Sequence, residues 1–357
     1  MSKVYFIAMD THSHTTDICV KTRANGPARR WRVNTTIPAI REVIEQVGRP
    51  RKLTFEEGPL ADWLWRNLKG SVDEAVVCDP RKNALVAKDG DKDDPIDADK
   101  LCDLFIGGFV RAVHHPASLA RQVAKQTVGL YHERVRRRVS ESNKVVGLFK
   151  RWGVMVVAKD FEKAADRAGV LERLGDQAEH GVVKGHLKLL FRGYDEAVRE
   201  EGLLRREVVK LAKGEEQVQR WEALPGIGWI RGLTLLVYLD TAYRFKSKQA
   251  LWKYMGIGLV RARSGNGSEF VCVEKAANRV LKNAIVGAAE SVILQRGRGK
   301  SNPFAEQFER WVGAGLSRKN ARRNVARSLA GVMWGMWKNG GTYDPDQVGR
   351  SPAGVGV

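Results

Sequence analysis

The stretch "VYFIAMD", Val4–Asp10, is a short apolar run that ends in an acid, the pattern of a buried strand delivering a carboxylate to its own end. "TDICVKT" (16–22) and "RRWRVNT" (29–35) then alternate with period two, as strands do, and "IPAIREVIEQVG" (37–48) carries helical spacing. "KLTFEEG" (52–58) reads as a strand, "PLADWLWRNLKG" (59–70) as a helix, "DEAVVCD" (73–79) as a strand and "PRKNALVAKD" (80–89) as a short helix. Early strands followed by alternating helices and strands predict an α/β domain over 1–116, a mixed sheet covered by helices. Ligands of such sheets sit at strand ends, where Asp10, Glu56 and Glu57 fall.

Beyond Ala117 the period changes. Val128, Tyr131, Val135, Val139, Val146 and Phe149 step at helical intervals, with "ERVRRRVSESNK" supplying charge between them. Long antiparallel helices of coiled-coil type follow over 117–215, whose basic face serves as a solvated spacer or dimerisation arm, or lies along a nucleic-acid backbone. A third, mainly helical part over 216–344 opens at "LPGIGWIRGLTLLVYL", passes a Gly-rich polar loop, "VRARSGNGSEF", and ends in the basic helix "SRKNARRNVARSLAGVMWGMW". The glycine-rich end, 345–357, has no apolar period and is expected to be a mobile tail.

The 357 residues carry 61 Lys and Arg against 41 Asp and Glu, a formal charge of +20, spread over every part of the chain. Such an excess calls for a polyanionic partner. A membrane surface is the other candidate, but no apolar run approaches the roughly 18 residues a spanning helix needs. "MSKVYFIAMD" places an acid where a signal peptide would remain apolar, so a cytoplasmic, nucleic-acid-binding protein is expected. Cys19, Cys78, Cys102 and Cys272 form no C-x-x-C pair, which argues against a zinc site or a disulfide framework. His12 with His14 and His114 with His115 read as surface or loop histidines.

Against this basic background "KDDPIDADKL" (92–101) concentrates Asp93, Asp94, Asp97 and Asp99. Asp94 as N-cap, Pro95 at the first helical position and Asp97 in the first turn make a sound helix start. Residues three apart also share a helix face, so both carboxylates can join Asp10 and Glu56 from neighbouring strands. Four converged carboxylates repel unless a cation neutralises them, and hard oxygen donors select Mg²⁺ or Mn²⁺. Such an ion suits phosphodiester chemistry. Strand alternation sends Glu56 and Glu57 to opposite faces; Glu56 is favoured because it ends the run from Leu53 as Asp10 ends its own.

Two further motifs concern phosphate. In "LPGIGWIRGLTLL" Gly226 and Gly228 precede a helical pattern, which suits either backbone approach to a phosphate or a tight turn between packed helices. In "VRARSGNGSEF" Ser264 is flanked by Arg261 and Arg263 with glycines at 265 and 267. Glycines supply access and arginines supply charge for a hydroxyl nucleophile, although Ser-Gly pairs also make ordinary turns.

Taken in order, Asp10, Glu56, "KDDPIDA", the helical middle, "LPGIGWIRGLTLL", "RFKSKQALWKYMGIGLV", "RSGNG" and "NRVLKNAIVGAA" resemble the DEDD transposases of the insertion-sequence one-ten family, relatives of the Piv/MooV invertases and bridge-RNA-guided recombinases. The likeness runs to about Asp344. It implies a RuvC-like, RNase H-fold N-terminal domain in which Asp10, Glu56, Asp94 and Asp97 bind Mg²⁺, and a C-terminal transposase domain whose Ser264 forms a 5′-phosphoserine link with DNA. It also implies dimers pairing into tetramers, a structured noncoding RNA that pairs with target and donor DNA, a bacterial or archaeal nucleoid setting, and nucleic-acid contacts at Gly226, Gly228, Arg261, Arg263, Lys275, Asn278 and Arg279. "EEGP" and "KAAN" depart from the family pattern, and Arg263 stands where a first serine is common, leaving Ser264 as the match and Ser268 as the alternative. Other readings are a RuvC-like junction nuclease that uses activated water and a non-catalytic RNA-binding scaffold.

Overall fold

The computed structural model describes residues 3–83, 94–116, 118–175, 181–262, 270–273, 277–296 and 302–348. They divide into two compact units, Met1–Leu119 and Ala120–Val357.

In the first unit, β1 (Tyr5–Thr11), β2 (Thr15–Lys21) and β3 (Arg29–Asn34) precede α1 (Ile37–Glu45), β4 (Arg51–Glu56), α2 (Ala61–Leu68), β5 (Glu74–Cys78), α3 (Pro80–Asn83) and α4 (Asp94–Ile106). The sheet order is β3-β2-β1-β4-β5. The first three strands are antiparallel neighbours, while β1, β4 and β5 run parallel, the mixed sheet that the sequence predicts. Strand alternation sorts the sheet into two faces. Ile7, Met9, Ile18, Val20, Leu53, Phe55 and Val77 form one core with Ile40, Val43, Ile44, Ala61, Leu64 and Leu68 of α1 and α2. Ala8, Cys19 and Cys78 point to the other face and meet Ala98, Leu101 and Cys102 of α4. All of these but Leu101 are small, so α4 lies close on the strands.

The second unit begins with α5 (Leu119–Arg151), followed by α6 (Ala158–Phe161), α7 (Arg167–Glu172) and α8 (Gly181–Lys213). Arg134 and Arg137 pair with Glu200, Arg138 pairs with Glu201, and Val145 and Phe149 share a cluster with Leu187, Phe191 and Tyr194. Rising numbers on α5 meet falling numbers on α8, so the two helices are antiparallel, as the period suggests. The chain continues through α9 (Glu216–Glu222), α10 (Trp229–Leu239), α11 (Lys248–Tyr254), β6 (Leu259–Ala262), β7 (Phe270–Val273), α12 (Arg279–Arg296), α13 (Pro303–Gly313) and α14 (Arg318–Asn339). One apolar core joins Val128 and Tyr131 of α5 and Val208 of α8 to Trp221, Leu236, Ile285, Phe304 and Met333. Of the expected tail, Pro345–Gln347 forms a short 3-10 turn, and 349–357 lie outside the described residues.

Candidate functional site

Asp10 and Glu56 occupy adjacent strand ends. Met9 is in register with Phe55, so the next residues, Asp10 and Glu56, stand on strands about 4.8 Å apart. Both continue the alternation of Phe6 and Ala8, and of Thr54, onto the face that α4 covers. They line a cleft of about 410 Å³ together with His12, Glu57, Gly58 and Leu60. His12 Nε2 lies 3.3 Å from Asp10 Oδ2.

Helix α4 runs against β1. Its Cys102 Sγ donates to Phe6 O at 3.4 Å, and the Phe105 and Phe6 rings meet edge to face at 5.6 Å. From Phe105 back to Asp97 the helix rises about 12 Å, and from Phe6 to Asp10 the strand advances about 13 Å, so the first turn of α4 reaches the level of Asp10. Asp97 is exposed there. Position 94 continues the Ala98–Cys102 stripe by one turn; the Asp94 side chain lies outside the described residues. Among the described residues no three His, Cys, Asp or Glu side chains are grouped closely enough to hold a metal ion. The fold therefore brings Asp10 and Glu56 side by side and the start of α4 to the same end, without a closed carboxylate cluster among those residues. Oxygen donors at adjacent strand ends fit a hard divalent cation.

The remaining acids of α4 do something else. Lys21, whose side chain is 5% exposed, donates from Nζ to Asp103 Oδ2 at 2.8 Å and to Asp99 O at 3.3 Å. Asp103 Oδ1 accepts the Asn25 N–H at 3.0 Å, and the Asp99 carboxylate receives Nε and Nη2 of Arg30. Burial disfavours the Lys21 ammonium, but the Asp103 bond and the charges of Asp99 and Asp103 overcome it and raise its pKa. Burial likewise opposes ionisation of Asp99, and the bonds from Arg30 and Cys19 with the Lys21 charge prevail, holding it below the usual carboxylate range. Asp99, grouped with Asp94 and Asp97 by sequence, belongs to an ionic clamp that fixes α4 to β2 and β3.

Two residues near the cleft escape the sequence reading. Asp17 pairs with Asp10 across β1 and β2, is 4% exposed, and is neutralised by Arg32 Nη2 at 3.0 Å. The period-two pattern of "TDICVKT" puts Asp17, Cys19 and Lys21 on one face and carried that signal. His115 corrects the expectation of a surface histidine: it is buried, with Nε2 at 2.6 Å from Glu57 Oε2 and Nδ1 at 2.8 Å from Asp62 Oδ1. Burial works against its charge, but the two carboxylates outweigh it and raise its pKa. Glu57 is thereby committed to His115, while Glu56 shares the face of Asp10.

In the second unit the serine-bearing loop is bracketed by a short antiparallel ribbon, with Ala262 opposite Phe270. Arg263, Ser264 and Ser268 fall within 263–269, and these with Lys275 lie outside the described residues, as does the Arg261 side chain. Gly226 has φ +81°, and a Cβ there would sit 2.5 Å from Ala288 O of α12. Arg231 Nη1 donates to Gly226 O at 2.8 Å and to Ser291 Oγ at 3.0 Å, pinning the turn to α12. Gly228, the N-cap of α10, has φ −97° and open space where a Cβ would be. Asn278 caps α12, its Oδ1 accepting the N–H groups of Val280 and Leu281 at 3.0 and 3.1 Å, and Arg279 is exposed beside it.

Residues 218–306, from α9 through the glycine turn, the β6–β7 ribbon and α12 into α13, match the model of the transposase IS116/IS110/IS902 family. The chain is similar to y4pF/y4sB of Sinorhizobium fredii, named as a transposase, at 24% identity over 257 residues, 71% of this chain and 64% of that protein. It is similar to the transposase for insertion sequence element IS1111A of Coxiella burnetii at 22% over 214 residues, 58% of this chain and 57% of that protein. A Pseudomonas aeruginosa protein named as a family 20 transposase is 24% identical over 264 residues, 72% of this chain and 75% of its own length. The chain thus spans less than two thirds of the first two relatives. Together the matches support a protein of the transposase class. Within it, they support the IS116/IS110/IS902 family. No described helix is long and apolar enough to cross a membrane.

Proposed function

We propose that this chain is a site-specific DNA transposase that cuts and rejoins strands through Ser264, with Asp10, Glu56, Asp94 and Asp97 as ligands of Mg²⁺ or Mn²⁺. The observation that carries the reading is the pairing of Asp10 and Glu56 on one sheet face, at the end that the first turn of α4 reaches. The sheet order, with three antiparallel strands leading into two parallel ones, supports a RuvC-like RNase H fold. Glu57 is set aside as a ligand because His115 engages it.

In the proposed exchange the Ser264 hydroxyl oxygen attacks a phosphorus, the bond to the 3′ oxygen breaks, and a 5′-phosphoserine forms. The serine gives up its proton and the departing 3′ oxygen takes one. A 3′ hydroxyl from the other duplex then attacks the phosphoserine and releases the serine, so the number of phosphodiester bonds is conserved and no nucleotide is consumed. A divalent ion held by the acids would orient the phosphate oxygens and offset developing charge. Arg261 and Arg263 flank the same phosphate. The protein works in the cytoplasm on nucleoid DNA as dimers paired into tetramers, with the acids of one subunit beside the serine of another. A structured noncoding RNA selects target and donor DNA; this part of the reading rests on the family resemblance.

The test is to incubate protein, RNA, Mg²⁺ and labelled duplex and to resolve protein-DNA adducts under denaturing conditions. The adduct is expected with the wild type, Ser268→Ala and Glu57→Gln, and is expected to vanish with Ser264→Ala, Asp10→Asn and Glu56→Gln. An undiminished adduct in Ser264→Ala rules out this nucleophile. Cleavage without any adduct identifies a junction nuclease using water. Full recombination by the Asp94→Ala/Asp97→Ala double variant reduces those acids to helix caps.

A further inference from the structure

The arginine run of α5 is divided by the fold between two tasks. Arg134 and Arg137 turn to Glu200, and Arg138 turns to Glu201, holding α5 to α8. Arg136 faces away from these acids. With Ser140, Asn143, Lys144 and Arg151 it lines a groove of about 630 Å³ whose apolar part is supplied by Val139, Leu148 and Leu190. Arg136, Ser140, Asn143, Lys144 and Arg151 are exposed, and among the described residues no carboxylate lines the groove; Lys144 is steadied by Glu141 at 2.7 Å.

From these features we infer that the groove is a docking surface for the sugar-phosphate backbone of a DNA duplex outside the point of strand exchange, an inference that rests on the transposase reading. Arg136, Lys144 and Arg151 stand at intervals of eight and seven residues, about 12 and 11 Å along the helix axis. The Arg136–Lys144 interval is close to the roughly 12 Å width of the B-form major groove, across which two phosphate rows face each other. Duplex RNA also faces two phosphate rows across its wide minor groove, so the choice of DNA rests on the transposase reading and RNA is an outcome of the test. Ser140 and Asn143 add the short hydroxyl and amide donors that commonly accompany cations on phosphate. A second copy of this chain is a poor occupant. A twofold interface over this face would set Arg136, Lys144 and Arg151 of one copy against the same cations of the other.

The experiment measures binding of a fluorescent 30-base-pair DNA duplex to the full chain across a salt series, by anisotropy. The Arg136→Gln/Arg151→Gln variant should lower the log-log salt slope by about two and weaken binding roughly tenfold near physiological salt. Lys188→Gln/Arg199→Gln, which removes equal charge from exposed positions of α8 outside the groove, should bind like the wild type. Circular dichroism checks folding, and Lys144→Gln/Arg151→Gln serves should the first variant unfold. A wild-type slope in both groove variants overturns the proposal while leaving the transposase reading intact. A wild type that binds no duplex overturns both. Loss confined to an RNA duplex of equal length, or a shift to a smaller assembly in sedimentation, overturns the assignment to DNA.

Discussion

Replacing Lys21 by Met should loosen α4 specifically. The Lys21 side chain is 5% exposed, whereas those of Asp99 and Asp103 are 20% and 28% exposed. Removing one partner of a buried pair costs about 3–5 kcal/mol because an uncompensated charge stays behind. Here the carboxylates retain some access to water and Asp99 keeps Arg30, which places the cost at the lower end, about 3 kcal/mol. Hydrogen exchange of peptides over 98–106 reads the effect directly, since each 1.4 kcal/mol of opening free energy is tenfold in rate. Exchange should accelerate roughly a hundredfold in Lys21→Met. The Lys21→Met/Asp103→Leu variant removes both charges and should return to within about 1 kcal/mol of wild type, because an apolar replacement of a whole pair is nearly neutral. If Asp94 and Asp97 act as proposed, adduct formation should follow the same order. An acceleration below about fivefold in the single variant, or losses that simply add in the double, would refute the clamp.

Gly226→Ala should destabilise the second unit by about 3 kcal/mol, because it combines a positive φ with a Cβ 2.5 Å from a carbonyl oxygen of α12. Gly228→Ala meets open space and should leave thermal stability within about 0.5–1 kcal/mol, so a fall in DNA affinity there would report phosphate approach to the α10 N-terminus, and unchanged affinity would dismiss it. The His115 pKa is raised above the ordinary histidine value of about 6.5, so its contribution is complete below that value and is withdrawn as pH climbs through the higher folded one. Melting of the first unit should fall over this alkaline range in the wild type; His115→Gln should start about 2 kcal/mol less stable and show a flatter profile, and an equally steep fall in the variant would contradict the network.

What the sequence disclosed and withheld follows from the range of the interactions involved. Strands β1 to β5 were legible because β2 and β3 alternate with period two and β1, β4 and β5 are short apolar runs ending in acids or turns, and α5 because an apolar stripe steps at helical intervals from Val128 to Phe149. Strands β6 and β7 have four residues each, too few for a period to emerge beside a glycine-rich loop. The acids of "DDPIDADKL" could not be sorted from within that segment. Asp97 and Asp99 sit two residues apart on one helix, and what separates them is Lys21 on β2, which bonds to Asp99 across 78 positions and to Asp103 across 82. The same holds for Gly226 and Gly228, identical in the motif and different in the fold, since only Gly226 meets the carbonyl of Ala288. His115 looked solvated because its partners, Glu57 and Asp62, come from a loop and a helix more than 50 positions away.

This division bears on how the proposed carboxylate site would be built. Asp10 and Glu56 are placed by backbone register alone, which a side-chain change on either strand hardly disturbs. Asp94 and Asp97 depend on the seating of a helix held by charges on other strands. A variant in the clamp would therefore leave one half of the proposed site intact while displacing the other. Divalent-ion affinity should weaken in Lys21→Met, with the β1–β4 pairing still protected from exchange, and loss of that pairing instead would mean that the sheet itself leans on α4.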